Sequence, residues 1–464
     1  MKHWSDTRIA GTTGAQVVRP HPDGRMADGP TRVVIDSREV GPGDLFVGIP
    51  GERVDGGSFA AGALRAGAWG ILVTGEWAGE AVETGGGAVL VSDQPVPALG
   101  ALARAWRRDL AAHVIAVTGS VGKTSTKDLI AAVIAPHRTV AASRENFNTE
   151  IGMPLEILRA PLGTEVLVLE AAMRGFGQIA ELAAICEPDV AVITNIGPVH
   201  LEQMGSLEGV AKAKAELLEG LYDGATAVVP SDEPLLEPWL REALKVVTFG
   251  PGGDVFFEGS SLRGGSVPDA VPQRHVVIAQ GERIELELPF DQAHNLMNTL
   301  AAVAAARAIG VVASGRLDVS FSGLRGERVM LGSGATVIND CYNANPLSMR
   351  AALDDLATHE TTGRRVAVLG DMLELGPAED DHHRDVGGYA ATAGVDVLIT
   401  VGPRAARMLD RYDGEGHAVG SASEAAGLAG ELIGPGDVIL VKGSRGVGLE
   451  VVAEALGADE DGAG

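Results

Sequence analysis

The chain has 464 residues and a formal charge of −25, so it is too long for one ordinary core and too acidic for general binding of nucleic acid or anionic lipid. Any anionic ligand must meet a local group of Lys, Arg or backbone N–H. With 45 % hydrophobic residues, 63 glycines and only 4 % aromatics, the composition is that of an α/β protein with many tight strand-to-helix turns.

The opening residues MKHWSDTRIA carry no apolar h-region, and the longest apolar stretch, Leu300 to Ala313, is interrupted by Arg307. A cytoplasmic protein without membrane insertion is expected. The segment VVIDSREVGPGDLFVGIPG reads as a pair of short strands around a Pro-Gly turn, followed by a helical AAGALRAGA. This is a small N-terminal domain, placed at residues 1–112.

HVIAVTG (from His113), TEVLVLEA (from Thr164) and DVAVITNIG (from Asp189) are apolar β-type runs, each followed by a helical period, which implies a parallel sheet covered on both faces. Between Gly250 and Pro289 helices give way to short strands such as HVVIAQ and IELELPF, an antiparallel addition to this middle domain, placed at 113–314. A second α/β series, ATVIND, RRVAVLGD, VDVLITVG and DVILVKGS, forms a C-terminal Rossmann-like domain at 315–464. The acidic, Gly-rich tail GADEDGAG is expected to be disordered. Cys186 and Cys341 lie in apolar, strand-like contexts without metal-ligand spacing and read as reduced buried thiols. No long heptad marks an assembly surface, and a monomer is expected.

The sharpest chemical signal runs from Val114 to Ser125: a strand, the turn Gly119-Ser120-Val121-Gly122, and a helix from Lys123. Glycines let successive N–H groups converge on one phosphate, and the helix N-terminus adds positive potential. Lys123 would reach the β- and γ-phosphates of ATP, and the Thr124 hydroxyl would ligate Mg²⁺. A longer phosphate loop has glycine where this chain has Val117, which argues against small-metabolite kinases and motor ATPases. Glu170 ends one strand and His200 follows the next, at the sheet edge where α/β proteins bind ligands. With Thr124 they could place Mg²⁺ between ATP phosphates and an acceptor carboxylate; either residue alone is usually structural, and the phosphate loop upstream reverses that reading.

At this point the chain resembles the Mur ligase family. The matching stretches run through nearly the whole sequence: DSREVGPGDLFVGIPGERVDG, TGSVGKTS, NFNTEIGMP, TNIGPVHLEQMGSLEGVAKAKAE, HNLMN, INDCYNANPLSMRAAL, VLGDMLELG and LVKGSRGVGLE. The resemblance implies three domains: one for a UDP-sugar, a central ATPase, and a C-terminal domain that closes over the site. NFNTEIG, DCYNANPLSM and GDMLELG are similar to the family member that adds D-alanyl-D-alanine to UDP-N-acetylmuramoyl-tripeptide, and the DNPR signature of the preceding ligase is absent.

The resemblance also implies roles. Lys214 would carry a carbamate from CO₂ and serve as a further Mg²⁺ ligand, whereas its spacing alone fits a solvated helix lysine. Asn295 would hold adenine; unaided, its turn reads as a helix cap. Arg325, with Arg328 as rival, would reach ATP across the domain boundary, and Asp340 would lie near the ribose. Asn343 and Asn345 would orient the dipeptide or simply shape a turn. Lys442 and Arg445 would bring positive charge to a carboxylate or phosphate, and Ser37 and Arg38 would hold the uridine nucleotide or form a capped turn. Rival readings are another amide ligase of the superfamily, a nucleotide switch or motor ATPase, and a scaffold that has lost catalysis.

Overall fold

A computed structural model describes residues 1–24, 28–144, 146–259, 273–321, 323–324 and 326–457. Arg325 and nearly all of the acidic tail lie outside the described residues. Three sheets follow one another along the chain, of five, ten and six strands.

The middle sheet shows why its strands read as unbroken apolar runs. In His113–Thr118, Val114 and Ala116 pack on one side with the helices Pro95–Leu110, Gln178–Cys186 and Leu207–Glu219. Ile115 and Val117 pack on the other with Lys123–Ile134 and Ala293–Ala308. A strand covered on both faces has no solvent side on which to place polar residues. Val140–Ala142, Val166–Glu170, His113–Thr118, Val190–Ile193, Thr226–Pro230, Lys245–Phe249 and Val255–Phe257 pair in parallel in that order. Gln273–Ala279 and Glu282–Leu288 then add antiparallel strands, as expected where helices give way to short strands, and Gly315–Arg316 closes the edge.

The first sheet orders Gln16–Arg19, Ala88–Val91, Gly70–Val73, Leu45–Val47 and Val33–Val34. Val33–Val34 and Leu45–Val47 pair in parallel, so the residues between them are a crossover and not a hairpin turn. Among the described residues, only Gln16–Arg19 runs antiparallel to its neighbour in this sheet. Its core is continuous with the middle unit: Trp4, Leu90, Leu99 and Trp106 share one apolar cluster with Val114 and Leu167. The Trp106 indole N–H donates to the Ala160 carbonyl at 3.0 Å.

The third sheet orders Glu327–Met330, Thr336–Asn339, Val438–Lys442, Arg365–Gly370, Val397–Val401 and Glu415–Val419, parallel except for its first pair. Its strands also have helices on both faces.

Both cysteines are free and buried, but neither is in a strand. Cys186 ends the helix Gln178–Cys186, and Cys341 lies in the turn after Thr336–Asn339. A short apolar run such as LAAIC does not by itself distinguish a buried helix from a strand. Among the described residues, no helix is long and apolar enough to cross a membrane.

Candidate active site

The phosphate loop is shaped by two glycines and braced by the residues that follow the neighbouring strand Val190–Ile193. Gly119 has φ +150°, and a Cβ there would fall 1.9 Å from Thr194 Oγ1. Gly122 has φ +79°, and a Cβ there would meet Asn298 Oδ1 at 2.7 Å. Glycine is therefore required at both positions for backbone and contact reasons together. Val121 N–H donates to Asn195 Oδ1 at 2.9 Å, and its carbonyl accepts from Thr194 Oγ1 at 2.6 Å and Asn195 Nδ2 at 3.0 Å. The Ser120 hydroxyl accepts the Gly197 N–H at 2.8 Å. This bracing by residues 194–197 is invisible in sequence, because nothing in the loop names the strand that will lie beside it.

The helix Lys123–Ile134 starts directly after Gly122, so its first N–H groups face the loop. The Lys123 ammonium donates to the Gly119 carbonyl at 2.9 Å. Thr124 is buried and its hydroxyl donates to Glu170 Oε2 at 2.7 Å. The other carboxylate oxygen accepts from Asn148 Nδ2 at 2.9 Å, and the Glu170 N–H donates to Ser143 Oγ at 3.1 Å. Asn148 and Ser143 thus fix Glu170. Asn148 belongs to the NFNTEIG stretch, but that pattern assigns it no partner.

Lys214 is 2 % exposed, and its Nζ donates at 2.9 Å to the Gly119 carbonyl that Lys123 also engages. Burial first, and then the positive charge of Lys123, hold its pKa well below the ordinary lysine range. The solvated-helix reading therefore does not describe this side chain. It lies beneath the loop and is not part of the cleft wall. His200 caps the short helix Leu201–Met204 with φ +53°, and its Nδ1 is hydrogen-bonded to Glu374 Oε2 of the C-terminal unit. Burial lowers its pKa, more than the neighbouring Glu374 raises it. Glu374 was not singled out from the sequence.

The loop opens into a cleft of about 1080 Å³ walled by the middle and C-terminal units. Ser120 to Ser125, Glu170, His200 and Asn295 line one side, and Asp340, Asn343, Asn345 and Lys442 the other. The structure thus brings together most of the expected nucleotide and metal residues with the expected dipeptide turn. Local roles differ. Lys442 is buried; its Nζ is held by Asp340 Oδ2 at 2.6 Å and by the Asn343 carbonyl at 2.9 Å, so its charge is already partnered. The Asn345 side chain accepts the Ser348 N–H at 3.0 Å and caps the helix Pro346–Thr358. Arg328 faces the cleft and pairs with Asp355 at 2.6 Å. Ser37, Arg38 and Arg445 lie away from it: Arg38 pairs with Asp36 in its own turn at 2.5 Å, and Arg445 with Glu450 at 3.7 Å. Among the described residues, no group of three or more His, Cys, Asp or Glu could hold a metal.

Three family models cover most of the chain: the Mur ligase family catalytic domain at residues 31–107, the Mur ligase middle domain at 117–306, and the Mur ligase glutamate ligase domain at 324–445. The UDP-N-acetylmuramoyl-tripeptide--D-alanyl-D-alanine ligase of Bacillus subtilis is 36 % identical over 434 residues, covering 91 % of this chain and 92 % of that protein. The enzyme of the same name from Escherichia coli is 32 % identical, covering 91 % and 93 %. Among solved structures, MurF of Acinetobacter baumannii superposes with a TM-score of 0.83 at 28 % identity, covering 98 % of each chain. MurF of Thermotoga maritima in complex with ADP gives 0.79 at 29 % identity, covering 92 % of this chain and 96 % of that one. With its three sheets, its braced phosphate loop and relatives matched over nearly their whole length, the chain belongs to the Mur ligase family.

Proposed function

We propose that this chain is the ATP-dependent ligase that joins D-alanyl-D-alanine to UDP-N-acetylmuramoyl-tripeptide, releasing ADP and phosphate. The observation that carries the reading is the shared cleft. It faces a phosphate loop and a strand-end carboxylate on one wall with the Asp340–Ser348 turn of the C-terminal unit on the other. A carboxylate that is phosphorylated first and then meets an amine fits such a divided site. The relatives of that name match nearly end to end, and the ADP complex among the structural neighbours supports nucleotide use.

A carboxylate does not acylate an amine in water, because its oxygen is a poor leaving group. A carboxylate oxygen of the tripeptide attacks the γ-phosphorus, ADP leaves, and an acyl phosphate forms. The dipeptide amine then attacks the acyl carbon, the C–O bond to phosphate breaks, and phosphate departs with the proton that the amine nitrogen gives up as the amide forms. Lys123 and the helix N-terminus neutralise the phosphates. Closure of the C-terminal unit excludes water from the acyl phosphate.

Mg²⁺ suits this donor set. Glu170 and Thr124 offer hard oxygen atoms already drawn together at 2.7 Å, and Mg²⁺ is commonly held by one or two carboxylates with phosphate and water completing its shell. Thr124, Glu170 and His200 would hold it, and bound there it would offset phosphate charge. For Lys214, a depressed pKa favours the neutral amine, which is the form that adds CO₂ to give a carbamate and a proton.

The remaining assignments are Ser37 and Arg38 to the uridine nucleotide, Asn295, Asp340 and Arg325 to ATP, Asn343 and Asn345 to the dipeptide, and Lys442 and Arg445 to a substrate carboxylate or phosphate. Residues 1–112, residues 113–314 together with the edge strand Gly315–Arg316, and the C-terminal sheet that follows act as the UDP-sugar, ATP and closing domains of a cytoplasmic monomer. The test is ADP release from ATP with UDP-N-acetylmuramoyl-tripeptide and D-alanyl-D-alanine, omitting each in turn. Release requires all three. Turnover undiminished without the dipeptide refutes the ligase.

A further inference from the structure

Two non-glycine residues with left-handed backbone meet across the boundary between the middle and C-terminal units. His200 has φ +53° and Glu374 φ +62°, and the imidazole Nδ1 is hydrogen-bonded to the Glu374 carboxylate. Such backbone is unfavourable for a residue with a Cβ and persists only where the surroundings impose it.

Here both sides impose it. In the C-terminal unit, Met372 N–H donates to His383 Nε2 at 3.0 Å and Leu373 N–H to Ser444 Oγ at 3.0 Å, while Met372 and Leu375 are buried. These bonds present Glu374 outward. In the middle unit, Gly197 is tied to Ser120 of the phosphate loop at 2.8 Å, and the His200 carbonyl accepts the Gln203 and Met204 N–H groups. The two backbones also approach closely. Glu202 N–H reaches the Glu374 carbonyl at 3.5 Å, and a Cβ on Gly376 (φ +68°) would lie 3.2 Å from the Glu202 nitrogen.

A carboxylate only accepts, so His200 Nδ1 carries the hydrogen, and in the neutral ring Nε2 keeps its lone pair. A histidine whose ring is fixed in this way is oriented to ligate through the other nitrogen. We propose that Glu374 is a positioning residue: supplied by the C-terminal unit, it fixes the orientation and tautomer of His200, so that the metal–nucleotide site is completed only when that unit is seated. The proposal rests on the assignment of His200 to the metal, and the test separates the two.

The measurement is Mn²⁺ binding in the presence of ADP, read from the electron paramagnetic resonance of free Mn²⁺, on the full chain. Glu374→Ala weakens Mn²⁺ binding about 10- to 100-fold, and Glu374→Gln, which keeps a carbonyl acceptor, restores most of it. ADP affinity without metal changes less than about twofold in both, because no phosphate contact is lost. A merely structural role would move both affinities together, and that result overturns the proposal. So does Mn²⁺ binding within about twofold of wild type in Glu374→Ala. If His200→Ala weakens Mn²⁺ binding while Glu374→Ala does not, the positioning role falls and the metal assignment stands; if neither does, both fall. Should Glu374→Ala fail to fold, Glu374→Met keeps the bulk, removes the acceptor and takes its place.

Discussion

Replacing Gly122 by alanine separates two penalties that the phosphate loop avoids. A left-handed backbone costs a residue with a Cβ about 1–2 kcal/mol. At φ +79° the new Cβ would also stand 2.7 Å from Asn298 Oδ1, 3.1 Å from its Nδ2 and 3.2 Å from its Cγ. Asn298 is 6 % exposed and has little room to withdraw, so overpacking adds roughly 1–2 kcal/mol. The free loop can relax out of this geometry, but phosphate binding must restore it. ADP affinity measured by calorimetry therefore falls by about 2–4 kcal/mol, or on the order of 30- to 800-fold. Gly163 is the control: it has φ +93° with nothing within 4 Å of a Cβ, and it lies outside the cleft. Gly163→Ala carries the backbone penalty alone and leaves ADP affinity unchanged. Adding Asn298→Ala to Gly122→Ala removes the contact part and recovers about tenfold. Additivity of these two substitutions within about 0.5 kcal/mol would refute the contact argument.

Two further outcomes follow from buried groups. Lys214→Ala and Lys214→Arg both lower ligase turnover on the order of 10²-fold or more, and wild-type turnover falls in CO₂-free buffer and returns with bicarbonate; near-normal turnover of Lys214→Ala would sink the carbamate. His383 is held neutral, accepting the Met372 N–H at Nε2 and donating from Nδ1 to the Glu379 carbonyl at 2.7 Å. Burial holds its native pKa below the ordinary value, so the unfolded chain takes up the proton first as pH falls. Its contribution is fully present above about 6.5 and is lost progressively below that value. His383→Gln melts lower near neutral pH but loses less between about pH 7.5 and 5.5 than wild type does. An equal loss in both proteins would show that His383 is not responsible.

Sequence alone determined what short-range rules can carry. The unbroken apolar runs gave the parallel strands because burial on both faces leaves no alternation. Gly119, Gly122, Lys123 and Thr124 gave the phosphate loop because its geometry is set within a few residues. The order of motifs gave the Mur ligase family before any coordinate. Tertiary structure alone decided what depends on distant neighbours. It turned the expected strand pair at Val33 and Leu45 into parallel neighbours, and it placed Cys186 at a helix end. It braced the loop with Thr194 and Asn195, and it brought Asn148 to Glu170. It engaged Lys442 with Asp340, and it set Glu374 against His200 across 174 positions of chain. Charge and hydrogen-bonding partners are fixed by where the sheets place their edges, and spacing along a chain does not encode which edges will face each other.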